Sequence, residues 1–494
     1  MQKFVKFKKL IFAILVVIFY LLTRLPYLYS DVLNTDSINW HNRTQAFIKA
    51  FENKKYKDTY QSYHPGVTLM WIQYPIQKYF DGRGMTLLER DYALKLELVA
   101  INFLLFSFSL FLIHRAFGGK TALVYSLIYL LEPVFIAGSR LNHLDFLLAG
   151  LGFNSILCMF YFRRAGNPMF FVFSSLLFAL ALLTKTTAIL FLPLNLLILL
   201  TTKSRWYFKP LYIIFFILFT GSLIYLLFPA LWVNRNKTLN RIKMGVTDIG
   251  VQGVYEIGSK GQSKPLLVKD EEIITPIQGY YVLAFGYMLT PFLILLVVYS
   301  SYLLKSHNLQ NKPEALILLL FSVGSLIALS IPNKQIDRYL YVIFPTVTLF
   351  VSLVLAQNKL LLKLMLIYII VTSIEVIRFF PYVIAYSNPL FGGLKNRITY
   401  TQMPNFGIGS FETAQKIISD YSGDPAEEPY VMGSKSLSLI LEDFRVRKTN
   451  IGCRNLYLAE YYTQTAFDCP GKYKKVDSIT LDGIDFIRIS KRAN

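Results

Sequence analysis

The side chains that could carry chemistry stand in a few short polar stretches between long apolar runs. Asp36, in NTDSINWH, comes directly after the first such run. It reads either as a helix N-cap, satisfying orphan N–H groups, or as a general base held at a membrane surface; position alone favours the cap. Arg140, His143 and Asp145 form a second group in GSRLNHLDF. His143 and Asp145, one residue apart, could share a divalent metal, but two ligands do not make a site. A hydrogen-bonded charge cluster is an equal reading of that group. Lys185 in LLTKTTAI, and Lys334, Arg338 and Tyr339 in PNKQIDRYL, would each read alone as snorkelling anchors. Acids and cations gathered on one side suggest more. An anionic headgroup needs cations at the membrane surface, and bond cleavage beside it needs a carboxylate.

These residues must be positioned by membrane helices. The 494-residue chain is 54% hydrophobic and only 16% charged, a poor match to a soluble core. Its mean hydropathy is +0.44. Apolar runs of spanning length place about eleven transmembrane helices near residues 9–29, 92–114, 120–138, 145–162, 169–183, 187–201, 210–229, 283–304, 314–331, 339–357 and 360–380. The loops with Arg115 and Lys120, Arg163 and Arg164, Lys203 to Lys209, Lys305 and Lys312, and Lys359 and Lys363 are short and basic, which marks them as inside. The N-terminal lysines before the first run put that terminus in the cytoplasm, with the run retained rather than cleaved.

Residues 30–91, 230–282 and everything after 381 then lie outside, with the short turns near 138–145, 184–186 and 332–338. Glu132 and Asp145 would be costly at bilayer depth without partners. Within 30–91, helical spacing over 37–51 and 67–80 predicts two amphipathic helices in the interface plane. Residues 1–380 form the membrane domain. Residues 381–494 form a small extracytoplasmic α/β domain, helical over 411–421 and strand-like at 429–433 and 483–489. Cys453 and Cys469 fall in that outer tail and are expected to pair as a disulfide. Cys158 lies in an apolar run as a packing residue. The net charge of +21 belongs to loops beside membrane runs, so lipid headgroups, not nucleic acid, are the expected partners.

The order of these motifs resembles the GT-C-fold glycosyltransferases of the dolichyl-phosphate-mannose–protein mannosyltransferase type, and the bacterial lipid A aminoarabinose transferases. Asp36 takes the first position of the family's acidic first-loop motif, with Ser37 in place of the usual Glu. His64, Pro65, Gly66 and Val67 resemble the Pro-Gly element that supports this loop in one branch. Ser139 to Asp145, LTK ending at Lys185, and Lys334 to Tyr339 with Pro345 match further features. YSNPLFGG at 386–393 and the following PNFGIGS resemble a tail signature that is usually richer in Trp and Glu.

The resemblance implies transfer of a sugar from a polyprenyl-phosphate donor to a protein, glycan or lipid acceptor on the extracytoplasmic face, with inversion. Asp36 would be the base; Lys185, Lys334, Arg338 and Tyr339 would hold the donor phosphate. Arg140, His143 and Asp145 would orient the acceptor, the base or a divalent metal. A polytopic transporter or lipid flippase, and a non-catalytic relative, are the competing readings. Transporters place charges and broken helices near the midplane, whereas the acids here sit at helix ends.

Overall fold

The computed structural model describes residues 2–202, 208–247, 254–257, 262–265, 268–269, 272–273, 279–305, 309–401, 407–420, 431–432, 435–443, 457–461 and 473–492. Cys453 and Cys469, and so the expected disulfide, lie outside them.

Each expected apolar run is helical. The first is α1 (Gln2–Arg24). The first polar loop then forms α2 (Thr35–Glu52) and α3 (Val67–Phe80), matching the two expected amphipathic segments. The helical body continues as α4 (Leu87–Phe117), α5 (Gly119–Leu131), α6 (Pro133–Arg140), α7 (Leu144–Ala165), α8 (Pro168–Thr184), α9 (Phe191–Leu200) and α10 (Lys209–Leu227). After α11 (Ala230–Met244) come two short hairpins, β1 (Val254–Ile257) with β2 (Gln262–Pro265), and β3 (Val268–Lys269) with β4 (Glu272–Ile273). Then follow α12 (Tyr280–Met288), α13 (Pro291–Leu303), α14 (Lys312–Ser330), α15 (Phe344–Leu355) and α16 (Leu361–Phe379).

By length and apolar composition, five helical segments among the described residues can cross a membrane, or up to seven when each bent pair is one span. Three further apolar helices are shorter. Two runs expected to be continuous are therefore broken: α5 and α6 meet at 66°, α12 and α13 at 115°. Each second half opens on proline, which lacks the N–H a continuing helix would use.

The breaks meet each other. Both Glu132 oxygens are engaged, accepting from the Thr290 N–H (2.6 Å), the Thr290 hydroxyl (2.9 Å) and the Tyr368 hydroxyl (2.7 Å). Arg24 donates to the carbonyls of Tyr129 (2.8 Å) and Leu130 (2.7 Å) at the end of α5. Backbone groups freed at the break thus find partners inside the protein, as an apolar surround demands. Glu132 sits at such a break rather than at an outer helix end. Its filled hydrogen bonds make it a brace and not an open ion site.

The most enclosed spans are α7 and the segment Asp337–Leu355, whereas α10 lies at the periphery. The tail has the expected α/β character: α17 (Gly393–Tyr400), α18 (Ser410–Asp420), β5 (Val431–Met432), α19 (Lys435–Asp443), β6 (Tyr457–Tyr461), β7 (Tyr473–Leu481) and β8 (Ile484–Arg492). Its sheet runs β5-β6-β8-β7, parallel between β5 and β6 and antiparallel elsewhere. The tail's apolar core, with Ile417, Leu437 and Ile487, continues into Val32, Leu33 and Ile38 beside the start of α2.

Two tail motifs brace the membrane body. Asn388, in YSNPLFGG, donates its side-chain amide to the Leu289 carbonyl (2.8 Å) and its N–H to the Tyr287 carbonyl (2.9 Å), at the α12–α13 break. Ile408 bridges to Val32. Gly407 (φ +75°) lies so close to this strand that a Cβ there would fall 2.2 Å from the Leu33 carbonyl oxygen.

Candidate functional site

The first turn of α2 decides what Asp36 is. The N-cap is Asn34, whose side-chain oxygen accepts the Asp36 N–H at 2.9 Å. The expectation of Asp36 as cap is thereby corrected. With the cap role filled two residues earlier, its carboxylate is directed to other partners.

Those partners come from the starts of the two most enclosed spans. His143 is the N-cap of α7, and Asp145 lies in its first turn. Arg338 lies at the start of Asp337–Leu355. Asp36 Oδ2 is 2.9 Å from Arg338 Nη1 and 3.3 Å from His143 Nε2. Arg338 Nε also reaches Asp145 Oδ2 at 3.2 Å, so one guanidinium spans both carboxylates. Lys185 Nζ meets Asp145 Oδ1 at 2.5 Å and lies 4.1 Å from the centre of the Tyr339 ring. In the neutral imidazole, His143 Nδ1 accepts the Asp145 N–H (3.2 Å), which leaves the proton on Nε2 facing Asp36. A protonated ring would instead donate from Nδ1 to Asp145 Oδ2, 3.1 Å away.

Burial alone would push the Asp36 carboxyl up. The His143 hydrogen bond and the charges of His143 and Arg338 outweigh it and hold Asp36 well below the usual carboxylate range. Lys334 completes the cluster: burial, with Arg338 nearby, lowers its ammonium to about 8. Its Nζ donates to the Tyr63 hydroxyl at 3.2 Å. Burial, with the charge of Asp36, raises the Tyr63 hydroxyl, and its ring packs at a 47° tilt against His64, the ring centres 4.1 Å apart.

The HPGV segment positions rather than reacts. His64 is half-buried, and its desolvation with the charges of Lys185 and Lys334 pushes its pKa far down, so it is neutral. Pro65 leads into Gly66, which adopts φ +62°; a Cβ there would fall 2.1 Å from the Trp40 ring. Only glycine has that freedom. The Gly66 N–H donates to the Thr184 carbonyl (3.1 Å) and the Thr68 hydroxyl to the Leu180 carbonyl (2.6 Å), fastening the first loop to α8 just before Lys185.

Arg140 does not join this cluster. It donates to Asp31 Oδ2 (2.8 and 3.0 Å) and to the Pro26 carbonyl (2.9 Å). Asp31 Oδ1 meets Lys95 at 3.2 Å, Lys95 meets Asp91 at 3.0 Å, and Asp91 accepts from Ser37. Ser37 accepts from Asn142 (3.1 Å), which accepts from Gln73 (2.8 Å). Ser37 thus closes a buried polar network that ties α2 to α3, α4 and the α6–α7 turn. A second carboxylate at that place would face Asp91. Sequence reading missed Asn34, Asp31, Asp91, Asn142 and Tyr63. The one local signal was the i, i+4 pair Asp91–Lys95.

The metal role expected for His143 and Asp145 does not fit. Asp145 already faces Lys185, His143 and Arg338, and Asp36 faces His143 and Arg338. Among the described residues no group of three or more His, Cys, Asp or Glu is placed to hold a metal ion. Two carboxylates, Asp36 and Asp145, stand with three cations, Lys185, Lys334 and Arg338. That surplus suits an anion.

The family model described as dolichyl-phosphate-mannose-protein mannosyltransferase matches residues 84–232. Among solved structures, ArnT from Cupriavidus metallidurans bound to undecaprenyl phosphate is similar, with TM-score 0.54 and 14% identity, over 88% of this chain and 84% of that one. ArnT in the apo state gives 0.53 and 14%, over 89% and 85%. The apo Archaeoglobus fulgidus oligosaccharyltransferase gives 0.45 and 12%, over 88% and 63%. A search of the curated proteins finds no match. The resemblance expected from the motifs is borne out, and the fold is that of a GT-C glycosyltransferase.

Proposed function

We propose that this protein transfers a sugar from a polyprenyl-phosphate donor to an acceptor hydroxyl or amine on the extracytoplasmic face, with inversion. The observation that carries the reading is the Asp36–Arg338–Asp145 bridge, flanked by Lys185 and Lys334, at one end of the helical body. ArnT, whose fold this chain shares, was solved with undecaprenyl phosphate, which supports a lipid phosphate as the anion.

In this mechanism Lys334 and Arg338 receive the donor phosphate, with Lys185 behind them against Asp145. Arg338 turning toward the phosphate weakens its hold on Asp36, so donor binding raises the basicity of the carboxylate that must act. The acceptor oxygen or nitrogen attacks the anomeric carbon from the face opposite the phosphate. The bond from that carbon to the phosphate oxygen breaks, and its electron pair leaves with the lipid phosphate. The acceptor proton passes to Asp36. For a hydroxyl acceptor it passes late, after attack has made the acceptor oxygen strongly acidic, so even a weakly basic carboxylate can take it. The leaving phosphate gains a charge that the cations stabilise, and no general acid is required.

His143 orients Asp36. Tyr63 holds Lys334 and Tyr339 holds Lys185. The test is incubation of purified protein with radiolabelled polyprenyl-phosphate sugars and candidate acceptors. Release of polyprenyl phosphate with label in the acceptor is expected; a panel of hexosyl and pentosyl donors left intact by active-fold protein would refute the assignment.

A further inference from the structure

The basic residues of α11 remain outside the site chemistry. Arg235, Lys237, Arg241 and Lys243 lie in the part of α11 beyond a kink at Asn234, and α11 holds no acid. All four are exposed, and no carboxylate among the described residues pairs with them. Arg241 packs over the Tyr60 ring at 5.6 Å. Membrane orientation does not account for this charge, because α11 lies at the same end as Asp36: Trp232 packs on Tyr56, ring centres 5.3 Å apart, and Gly245 abuts Tyr63. Basic loops that set orientation belong at the opposite end, where Arg163 and Arg164 pair with Glu314.

Position supplies the occupant. α11 follows the end of span α10 after two residues, and the Trp232 indole N–H reaches back to the Tyr225 carbonyl at 2.7 Å. Val233 is 59% exposed and Leu239 45%, so apolar side chains stand beside the cations. Lys54, Lys55 and Lys57, with one acid, Asp58, beside them, extend the basic surface around Tyr56. An indole at the end of a span, bare aliphatic side chains and a run of cations without acids match an interfacial surface that meets negative lipid.

We propose that α11 docks on anionic phospholipid headgroups of the bilayer, with Arg235 and Lys243, on the same side of the helix as the exposed Leu239, facing the phosphates. This does not depend on the sugar-transfer reading. The test reconstitutes the full chain in vesicles containing brominated phosphatidylglycerol or brominated phosphatidylcholine. The Trp232 signal is the difference between the wild type and Trp232→Phe. Stronger quenching by phosphatidylglycerol at low salt is expected. The preference should fall by roughly fivefold for each cation removed in the series Arg235→Gln, Lys243→Gln, and it should fade in the wild type as salt rises. Equal quenching by the two lipids, or a preference that survives both the double variant and high salt, overturns the proposal.

Discussion

Replacing Asp36 by Asn tests the reaction separately from the fold. Asn has the same shape and keeps one oxygen for Arg338, now 2.9 Å from Oδ2, but it cannot take a proton. The Asp36 side chain is 34% exposed, so the ion pair is partly screened and its loss costs about 1 kcal/mol of stability or less. Arg338 also retains Asp145 at 3.2 Å. Loss of a general base lowers turnover by on the order of 10²–10⁴-fold, or about 3–5 kcal/mol of barrier.

Asp145→Asn is the contrast. It strips the counter-ion from Lys185, whose side chain is 1% exposed, so about 3 kcal/mol of stability is lost along with activity. The assay pairs sugar transfer from a radiolabelled polyprenyl-phosphate donor with a thermal melt of the same preparation. Asp36→Asn should melt with the wild type and fail to turn over. A kcat/KM within about threefold of wild type, at an unchanged melting temperature, would refute Asp36 as the base.

Three further outcomes follow from the same geometry. Asp36, held below the carboxylate range in the free enzyme, stays ionised in mild acid, so its titration adds no acid limb to kcat/KM between pH 7 and 5; Lys334 loses its charge above about 8, so donor KM should rise there and rise less in Lys334→Arg, as a pH–rate series would show. Arg140→Gln leaves Asp31 with Lys95 as its one cation and should cost about 3 kcal/mol in a denaturation series, while the folded fraction keeps wild-type kcat. Gly407→Ala forces a Cβ to within 2.2 Å of the Leu33 carbonyl, three residues before Asp36, and should cut kcat more than tenfold with donor affinity little changed in a binding measurement.

How far the sequence could be read depended on the range of the interaction involved. The apolar runs report helices because burial in an apolar surround demands satisfied backbone groups over some twenty consecutive residues. That signal is local, and so is the amphipathic spacing behind α2 and α3. The bends at Glu132 and Thr290 went unread, although Pro133 and Pro291 marked both. A proline names a possible break, while the group that makes the break tolerable comes from another part of the chain, Arg24 for the first and Glu132 for the second. Asp36 and Arg140 show the same limit. Both are polar residues beside a membrane run, and one lies in the cluster while the other braces Asp31. Nothing within a few residues of either distinguishes them.

By itself, then, the sequence determined a chain of membrane helices with its acids and cations at a few loop positions and an α/β tail, because hydropathy and periodicity are properties of neighbouring residues. Only the tertiary structure decided which of those charges share a site. Asp36, His143, Asp145, Lys185, Lys334 and Arg338 come from four separate stretches of sequence, and ion pairing at 2.5–3.3 Å depends on how α2, α7, the end of α8 and the start of Asp337–Leu355 pack.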